Sequence, residues 1–423
     1  PKPYFPPHMA QIDLTGIEKI CVQWPRFGPY HLARLHAAHK ACSARNIEFI
    51  ALETAAKSGL YEWKVEDGET PFDREQVFVD RPFEDISPTE MHDAVIAKLN
   101  ELNPDVVAIH TYSLPDSRAC LEWCKDHGKA SIVMTNSKAD DAKRSPWKEL
   151  LKSRLIGEFD AALLAGTPQK AYFEDLGFSS EHISLGYNVV DNDFFATMPD
   201  SASTDLPGLS DDRPFILASN RFLKRKNLFC LLEAYASYRA LTPHPYRMIM
   251  LGDGALRPAI EAWIEAHQVD GIELAGFRQI DDLPHFYHRA AFFVHPARID
   301  TWAMVVNEAM AAGLPVVIST GTGCHKDLVD EGQNGFTFHP DDAQQLAQHM
   351  VKLSEDASFR ESAGARSREI MKDWTLDRFV HGLFESATTA MKRRGRKPAL
   401  IPRIMIRLLR SSSSSEAFHS VES

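Results

Sequence analysis

No stretch of this chain approaches the roughly 20 consecutive apolar residues that a membrane-crossing helix needs. The opening residues, PKPYFPPHMA, lack the apolar core of a secretory signal. Cysteine is sparse: Cys21, Cys42, Cys120, Cys124, Cys230 and Cys324 are scattered through apolar patterns rather than spaced as a disulfide framework. Cys120 and Cys124 stand four apart on an expected helix. No second Cys or His pair with zinc spacing accompanies them, so they read as buried helix positions. This usage fits a reducing compartment, and the expectation is a cytoplasmic protein. Also missing is a strand–G-x-G-x-x-G–helix unit, which argues against a nicotinamide dehydrogenase.

Positive charge is in deficit, with 47 Lys+Arg against 58 Asp+Glu and a net charge of −11. Eight of those cations lie between Lys392 and Arg410 with no acid among them, so setting them aside takes the rest of the chain from −11 to −19. Such an acidic body offers nucleic acid no basic footprint, and no nucleic-acid partner is expected. The 392–410 segment interleaves its cations with Ile, Leu and Met. Its expected role is peripheral contact with an anionic membrane at the inner face, with a solvated tail as the competing reading. A serine run, Ser411 to Ser415, follows as low-complexity sequence.

What is present is a globular pattern: 44% apolar and 25% charged residues over 423 positions, a length that favours two domains. Short apolar runs alternate with helical stretches. The first half offers KICVQ (19–23), EFIALE (48–53), VVAIHT (106–111), SIVMTN (131–136), AALLAG (161–166) and HISLG (182–186) as strands. A polar stretch, TMPDSASTDLPGLSDDRP (197–214), interrupts the pattern. It resumes with FILASN (215–220), RMIMLGD (247–253), IELAG (272–276), AFFVHP (291–296), PVVIST (315–320) and GFTF (335–338). The runs are apolar on both faces, as buried parallel strands are. The expected fold class is therefore α/β, with two Rossmann-like, doubly wound domains facing a central cleft. The expected divisions are an N-terminal acceptor-side domain at 1–200, a linker at 201–214 and a donor domain at 215–374. A helix at 375–392 is expected to return to the first domain, ahead of the tail at 393–423. Ligands of such sheets bind at the carboxyl ends of the strands.

Several loops there carry suitable chemistry. In HPARIDTWAMVVNEAMAAGLPVV (295–317), Asp300 precedes an expected helix and Glu308 lies inside it, eight positions on. The N–H groups of a helix start bind phosphate or sugar oxygens, and flanking carboxylates accept from hydroxyls. A capped helix with one surface glutamate is the competing reading. SNRFLKRKNL places Arg221 and Lys226 after a strand, as either a phosphate clamp or a solvated basic face. Gly252 and Gly254 form a lone G-x-G, first of all a turn. Gly28 follows the first strand, where a tight turn brings backbone N–H groups toward an anion. His110 ends the strand VVAIHT, and Ser137 and Lys138 end the next. Asp191-Asn192-Asp193 looks like a metal-binding D-x-D but precedes the linker, and no metal or other cofactor is expected.

The 295–317 segment resembles the acidic-x7-acidic motif of retaining glycosyltransferases of family 4, group 1, whose usual form is E-x-F-G-x-x-x-x-E-A-M-A-x-G-x-P-V. Asp300 stands where that motif has Glu, and Ala303 where it has Gly. SNRFLKRKNL resembles the family's G-R-x-x-x-x-K-G segment, GFRQIDDLPHFY its G-F-x-x-x-x-x-L-x-x-x-Y segment, and GTGCHKDLVDEGQNGF its closing element. The resemblance implies the GT-B fold and a nucleotide-diphosphate sugar as donor. The acceptor hydroxyl belongs to a glycan, a lipid-linked molecule or a small molecule, in glycoconjugate or polysaccharide synthesis. It implies catalytic roles for Arg221, Lys226, Asp300, Glu308 and His110. Donor contacts would come from Gly28, Gly252, Gly254, Arg278, Thr301, Trp302, Ala303 and Met304, with Arg278 beside the base. The alternatives are a non-catalytic partner subunit of the same fold, or a nucleotide-sugar epimerase. A phosphorylase would need a pyridoxal lysine that nothing in the sequence marks.

Overall fold

The computed structural model describes residues 12–57, 70–142, 144–199 and 206–396. Most of the basic tail and part of the polar 197–214 stretch lie outside the described residues. The chain forms two units, one running to Val189 and resuming at Leu376, the other spanning Val190–Thr375. The division thus falls before the polar stretch.

The first unit holds seven parallel strands: β1 (Lys19–Trp24), β2 (Glu48–Lys57), β3 (Asp73–Pro82), β4 (Val106–His110), β5 (Ala130–Thr135), β6 (Ala161–Leu164) and β7 (Ile183–Leu185). Their order is β3-β2-β1-β4-β5-β6-β7. Helices α1 (Pro29–Ser43), α2 (Pro88–Leu102), α3 (Pro115–His127) and α4 (Pro146–Ile156) each open on a proline. Proline suits the first helical position, where its missing N–H has no partner to lose. A fifth helix, α5 (Thr167–Asp175), precedes β7. Strand β3, DREQVFVDRP, was not expected from the sequence. It is the edge strand of the sheet, partly exposed along its length, and an edge needs no continuous apolar run.

The second unit starts with α6 (Asn192–Ala196) and continues through β8 (Phe215–Ser219), α7 (Leu228–Leu241), β9 (Arg247–Leu251), α8 (Arg257–His267) and β10 (Ile272–Gly276). Then come α9 (Leu283–Arg289), β11 (Phe292–His295), α10 (Met304–Ala311), β12 (Val316–Ser319), α11 (His325–Leu328) and β13 (Gly335–Phe338). Helices α12 (Ala343–Glu355) and α13 (Ala357–Met371) complete it. Its six strands run in the order β10-β9-β8-β11-β12-β13, the doubly wound order.

The last helix, α14 (Leu376–Arg393), lies against β5, β6 and β7 of the first unit. Its buried stripe is Phe379, Val380, Leu383, Phe384, Ala387 and Ala390. Gly382 allows the close approach, since a Cβ there would come within 2.6 Å of the Leu163 side chain and 2.8 Å of the Leu185 carbonyl. In each sheet the winding reverses beside the first strand, between β1 and β4 and between β8 and β11. These reversals are where such sheets open a binding crevice at their carboxyl edge.

Candidate active site

At the reversal in the second unit, β8 and β11 are hydrogen-bonded neighbours, so the loops that follow them emerge side by side. The β8 loop carries Asn220, Arg221 and Lys226; the β11 loop carries Asp300. The two are tied together by the Arg225 carbonyl, which accepts from Arg298 N at 2.9 Å and Ile299 N at 3.3 Å. The β9 loop locks in from the other side: Phe222 N donates to the Asp253 carbonyl at 2.7 Å. Gly252 cannot be replaced without moving it, because a Cβ would fall 1.8 Å from the Asn220 carbonyl oxygen.

Three groups meet at the Asp300 carboxylate. Lys226 Nζ and His295 Nε2, the latter at 3.0 Å, share Oδ2, while Trp302 N donates to Oδ1 at 3.3 Å. Burial alone would raise the Asp300 carboxyl. The Lys226 ammonium and His295 overcome it and hold the group well below the usual carboxylate range. Burial, helped by the Lys226 charge, keeps His295 below its ordinary value despite the hydrogen bond it donates to Asp300. The cluster is thus a buried Asp⁻–Lys⁺ pair steadied by a neutral imidazole. Arg221 differs: among the described residues its guanidinium has no acidic partner.

Helix α10 begins at Met304 with no side chain capping it. Its N-cap, Ala303, has φ 79° and ψ 80°, left-handed backbone that costs a non-glycine residue about 1–2 kcal/mol. Glu308 is fully buried and accepts from the Tyr287 hydroxyl at 2.7 Å, which rules out a surface glutamate. Trp302 is also buried. Its indole packs on Trp374 and donates to Asn307 Oδ1 at 2.9 Å, so the side chain is committed to packing. Both amide atoms of Asn220, Nδ1 of His295 and Nδ2 of Asn307 are buried without hydrogen-bond partners among the described residues. Buried polar atoms left this way call for a polar ligand or water.

In the first unit the reversal holds Gly28, the N-cap of α1, and His110, the last residue of β4. The Tyr187 hydroxyl accepts from Trp24 Nε1 at 2.8 Å and lies 2.9 Å from His110 Nδ1. An indole N–H only donates, which leaves the hydroxyl proton available to Nδ1; with the proton assigned there, His110 carries its own proton on Nε2. Burial, together with the Arg34 charge, pushes His110 down to about 4, so it is a neutral donor at neutral pH. Arg34 is itself clamped, with Nη1 2.7 Å from the Tyr187 carbonyl and its guanidinium 5.2 Å over the Trp24 ring. Behind β4, Gln23 accepts from His110 N at 3.2 Å and donates to the buried Asp116 at 2.8 Å. Thr111, next in sequence, has φ 54°, an outlier for a β-branched residue.

Residues 205–370 match the family model for glycosyl transferases group 1. In this segment the chain is similar to glycosyl transferases group 1. The chain is 26% identical over 172 residues to an uncharacterized glycosyltransferase of Methanocaldococcus jannaschii, a match covering 41% of this chain and 47% of that protein. It is 31% identical over 155 residues to the O-antigen chain mannosyltransferase B of Escherichia coli, covering 36% of this chain and 40% of that one. The matches thus span less than half the length of these relatives. The two parallel-sheet units are of the GT-B fold class. Among solved structures of that class, Anabaena HepE in complex with UDP-glucose has a TM-score of 0.64 at 19% identity, covering 85% of this chain and 96% of that one.

The group 1 segment contains all but two of the site residues expected from sequence. Arg221, Lys226, Gly252, Gly254, Arg278, Asp300, Thr301, Trp302, Ala303, Met304 and Glu308 lie on or beside the carboxyl-edge loops of β8 to β11. Gly28 and His110 lie at the same edge of the other sheet. Asp191 of the DND sequence caps α6, accepting from Phe194 N at 3.2 Å, and Asn192 donates to the Met371 carbonyl at 2.8 Å. Lys138 is buried and paired with Asp140. Among the described residues no group of three or more His, Cys, Asp or Glu is placed to hold a metal ion. Sequence reasoning missed His295, Asn220, Asn307 and Tyr187. It also gave Tyr287 no role, although that tyrosine closes the G-F-x-x-x-x-x-L-x-x-x-Y segment.

Proposed function

We propose that this protein transfers a sugar, with retention of anomeric configuration, from a nucleotide-diphosphate donor to an acceptor hydroxyl. The observation that carries this reading is the buried Lys226–Asp300–His295 cluster beside the uncommitted Arg221, at the sheet reversal of the group 1 segment. The complex of HepE with UDP-glucose supports a nucleotide sugar as donor.

In this reading Arg221 and Lys226 hold the diphosphate. Negative charge grows on that leaving group as the glycosidic bond breaks, and fixed cations in a dry site stabilise it. Asp300, kept ionised, accepts from a sugar hydroxyl and keeps Lys226 in place. Glu308, oriented by Tyr287, accepts from donor hydroxyls. His110 presents an Nε2–H donor at the carboxyl edge of the N-terminal sheet. No separate base is invoked: the departing diphosphate takes the acceptor proton as the anomeric centre passes through an oxocarbenium-like state. The reaction needs no metal, and the acceptor side belongs to the N-terminal unit.

The test is incubation with UDP-, GDP- and ADP-hexoses with and without EDTA, following nucleoside diphosphate release and the anomeric proton of the product by NMR. Consumption of one donor, retained configuration and indifference to EDTA are expected. A nucleotide that binds while no donor is ever consumed would make the chain a non-catalytic partner. Inverted product would end the retaining assignment, and activity lost in EDTA but restored by manganese would end the metal-free one.

A further inference from the structure

Helix α4 is built inside out. Its sequence PWKELLKSRLI points Trp147, Leu150 and Leu151 outward, at 76%, 45% and 47% exposure, while only Leu155 and Ile156 at its far end are buried. Positions i, i+3 and i+4 form one stripe, so the three apolar side chains make a continuous ridge. The polar side chains turn inward. Glu149 accepts from the Tyr172 hydroxyl at 2.6 Å and from Lys152 at 2.9 Å, and Ser153 donates to the Leu176 carbonyl at 2.6 Å. The Arg144 guanidinium sits 4.5 Å over the Tyr172 ring. Among the described residues the other large exposed apolar side chains, Val79, Met198 and Leu241, are single and far apart in sequence.

Charge points the same way. From Asp140 to Arg154 there are five cations (Lys143, Arg144, Lys148, Lys152 and Arg154) against three acids (Asp140, Asp141 and Glu149), in a chain whose net charge is −11, and of the cations Arg144 and Lys152 are paired with Asp141 and Glu149. Lys148 and Arg154 flank the exposed ridge. We propose that α4 docks on an anionic lipid surface, with Trp147, Leu150 and Leu151 entering the headgroup boundary and the flanking cations meeting lipid phosphates. Three side chains on a convex ridge fall far short of the roughly 800 Å² per partner that a stable protein interface buries. A tryptophan–leucine ridge rimmed by cations suits a bilayer boundary instead.

The position gives this contact a use. Helix α4 follows β5 from the sheet's carboxyl edge, and β5 is the hydrogen-bonded neighbour of β4, which ends in His110. A lipid surface on α4 therefore lies at the edge that carries His110. Resting on the transferase reading, the acceptor is then a lipid-borne hydroxyl. The docking itself needs no turnover and is tested without any.

The full chain is sedimented with vesicles of phosphatidylcholine alone or mixed with phosphatidylglycerol. Wild type should bind the anionic vesicles at least tenfold better than the neutral ones. Trp147→Ser/Leu150→Ser/Leu151→Ser should lose at least tenfold with an unchanged circular dichroism spectrum. Lys148→Glu/Arg154→Glu should lose at least tenfold as well, at roughly fivefold per cation. Arg403→Gln/Arg407→Gln/Arg410→Gln should keep the α4-dependent part, which separates α4 from the tail. A triple-serine variant that binds like wild type, or wild type that ignores anionic vesicles, overturns the proposal. Self-association without lipid that the triple-serine change abolishes overturns it too, by making a second copy the occupant.

Discussion

Two cations that look alike in sequence differ in what the fold has done with them. Lys226 is locked to Asp300, and Arg221 has no acidic partner among the described residues. Removing Lys226 leaves a buried carboxylate with only His295 and the Trp302 N–H and no opposite charge, and breaking a buried pair costs about 3–5 kcal/mol. Lys226→Ala should therefore lower both the melting midpoint and turnover. Arg221→Ala should leave the midpoint within about 1 °C and cut turnover by roughly a hundredfold, the usual loss for one charge on a leaving group. Calorimetry and steady-state kinetics on the two variants check this, and equal melting losses would contradict it. Tyr187 acts on a different atom. Tyr187→Phe removes the hydroxyl that donates to His110 Nδ1 and accepts from Trp24. The imidazole nitrogen shifts should then change from a single Nε2–H tautomer to a mixture, and turnover should fall without loss of nucleotide affinity. Unchanged shifts would contradict the assigned tautomer.

Helix α10 shows what a pattern does and does not disclose about an element. The acidic pair and the helix between 303 and 313 were legible, because the spacing and the terminal Gly313 are local features. That Glu308 is buried on Tyr287 was not, since the partner comes from α9. Nor was the backbone of Ala303, which adopts φ 79° where the family's glycine would do so freely. Ala303→Gly should raise stability by about 1 kcal/mol, the left-handed penalty less the glycine's unfolded-state entropy. A fall in the melting midpoint would mean that the alanine methyl packs better than its backbone strains. Strand β3 was hidden for a related reason. Its charged, partly exposed sequence carries no apolar run, and only pairing with β2 makes it a strand. His295 and Asn220 were hidden because lone polar residues at strand ends carry no periodicity. The buried strands were legible because parallel sheets covered on both faces must be apolar throughout.

Across the whole molecule, burial of neutral imidazoles sets an acid limit. His31 and His110 in one unit and His295 in the other are all held below their ordinary value, chiefly by burial, with nearby cations adding to the effect. The unfolded chain binds their protons near pH 6.5 and the folded chain does not. Their contribution to stability is thus full above that pH and lost as pH falls toward about 4. Asp116, raised by burial, works in the opposite sense, and Asp300, held low, adds to the loss at still lower pH. Differential scanning calorimetry should show a midpoint that is level above pH 7 and declines between about 6.5 and 4; a level midpoint through that window would contradict the burial of these groups.

The proposed transfer requires the group 1 segment to bind a nucleoside diphosphate through Arg221 and the Lys226–Asp300 cluster. Isothermal titration of the full chain with UDP, GDP and ADP measures that binding, with Arg221→Ala as the comparison. One nucleotide should bind wild type, and its affinity should fall at least tenfold in Arg221→Ala while the melting midpoint stays put. Equal affinity in the two proteins, or no binding of any of the three, would rule out that diphosphate site.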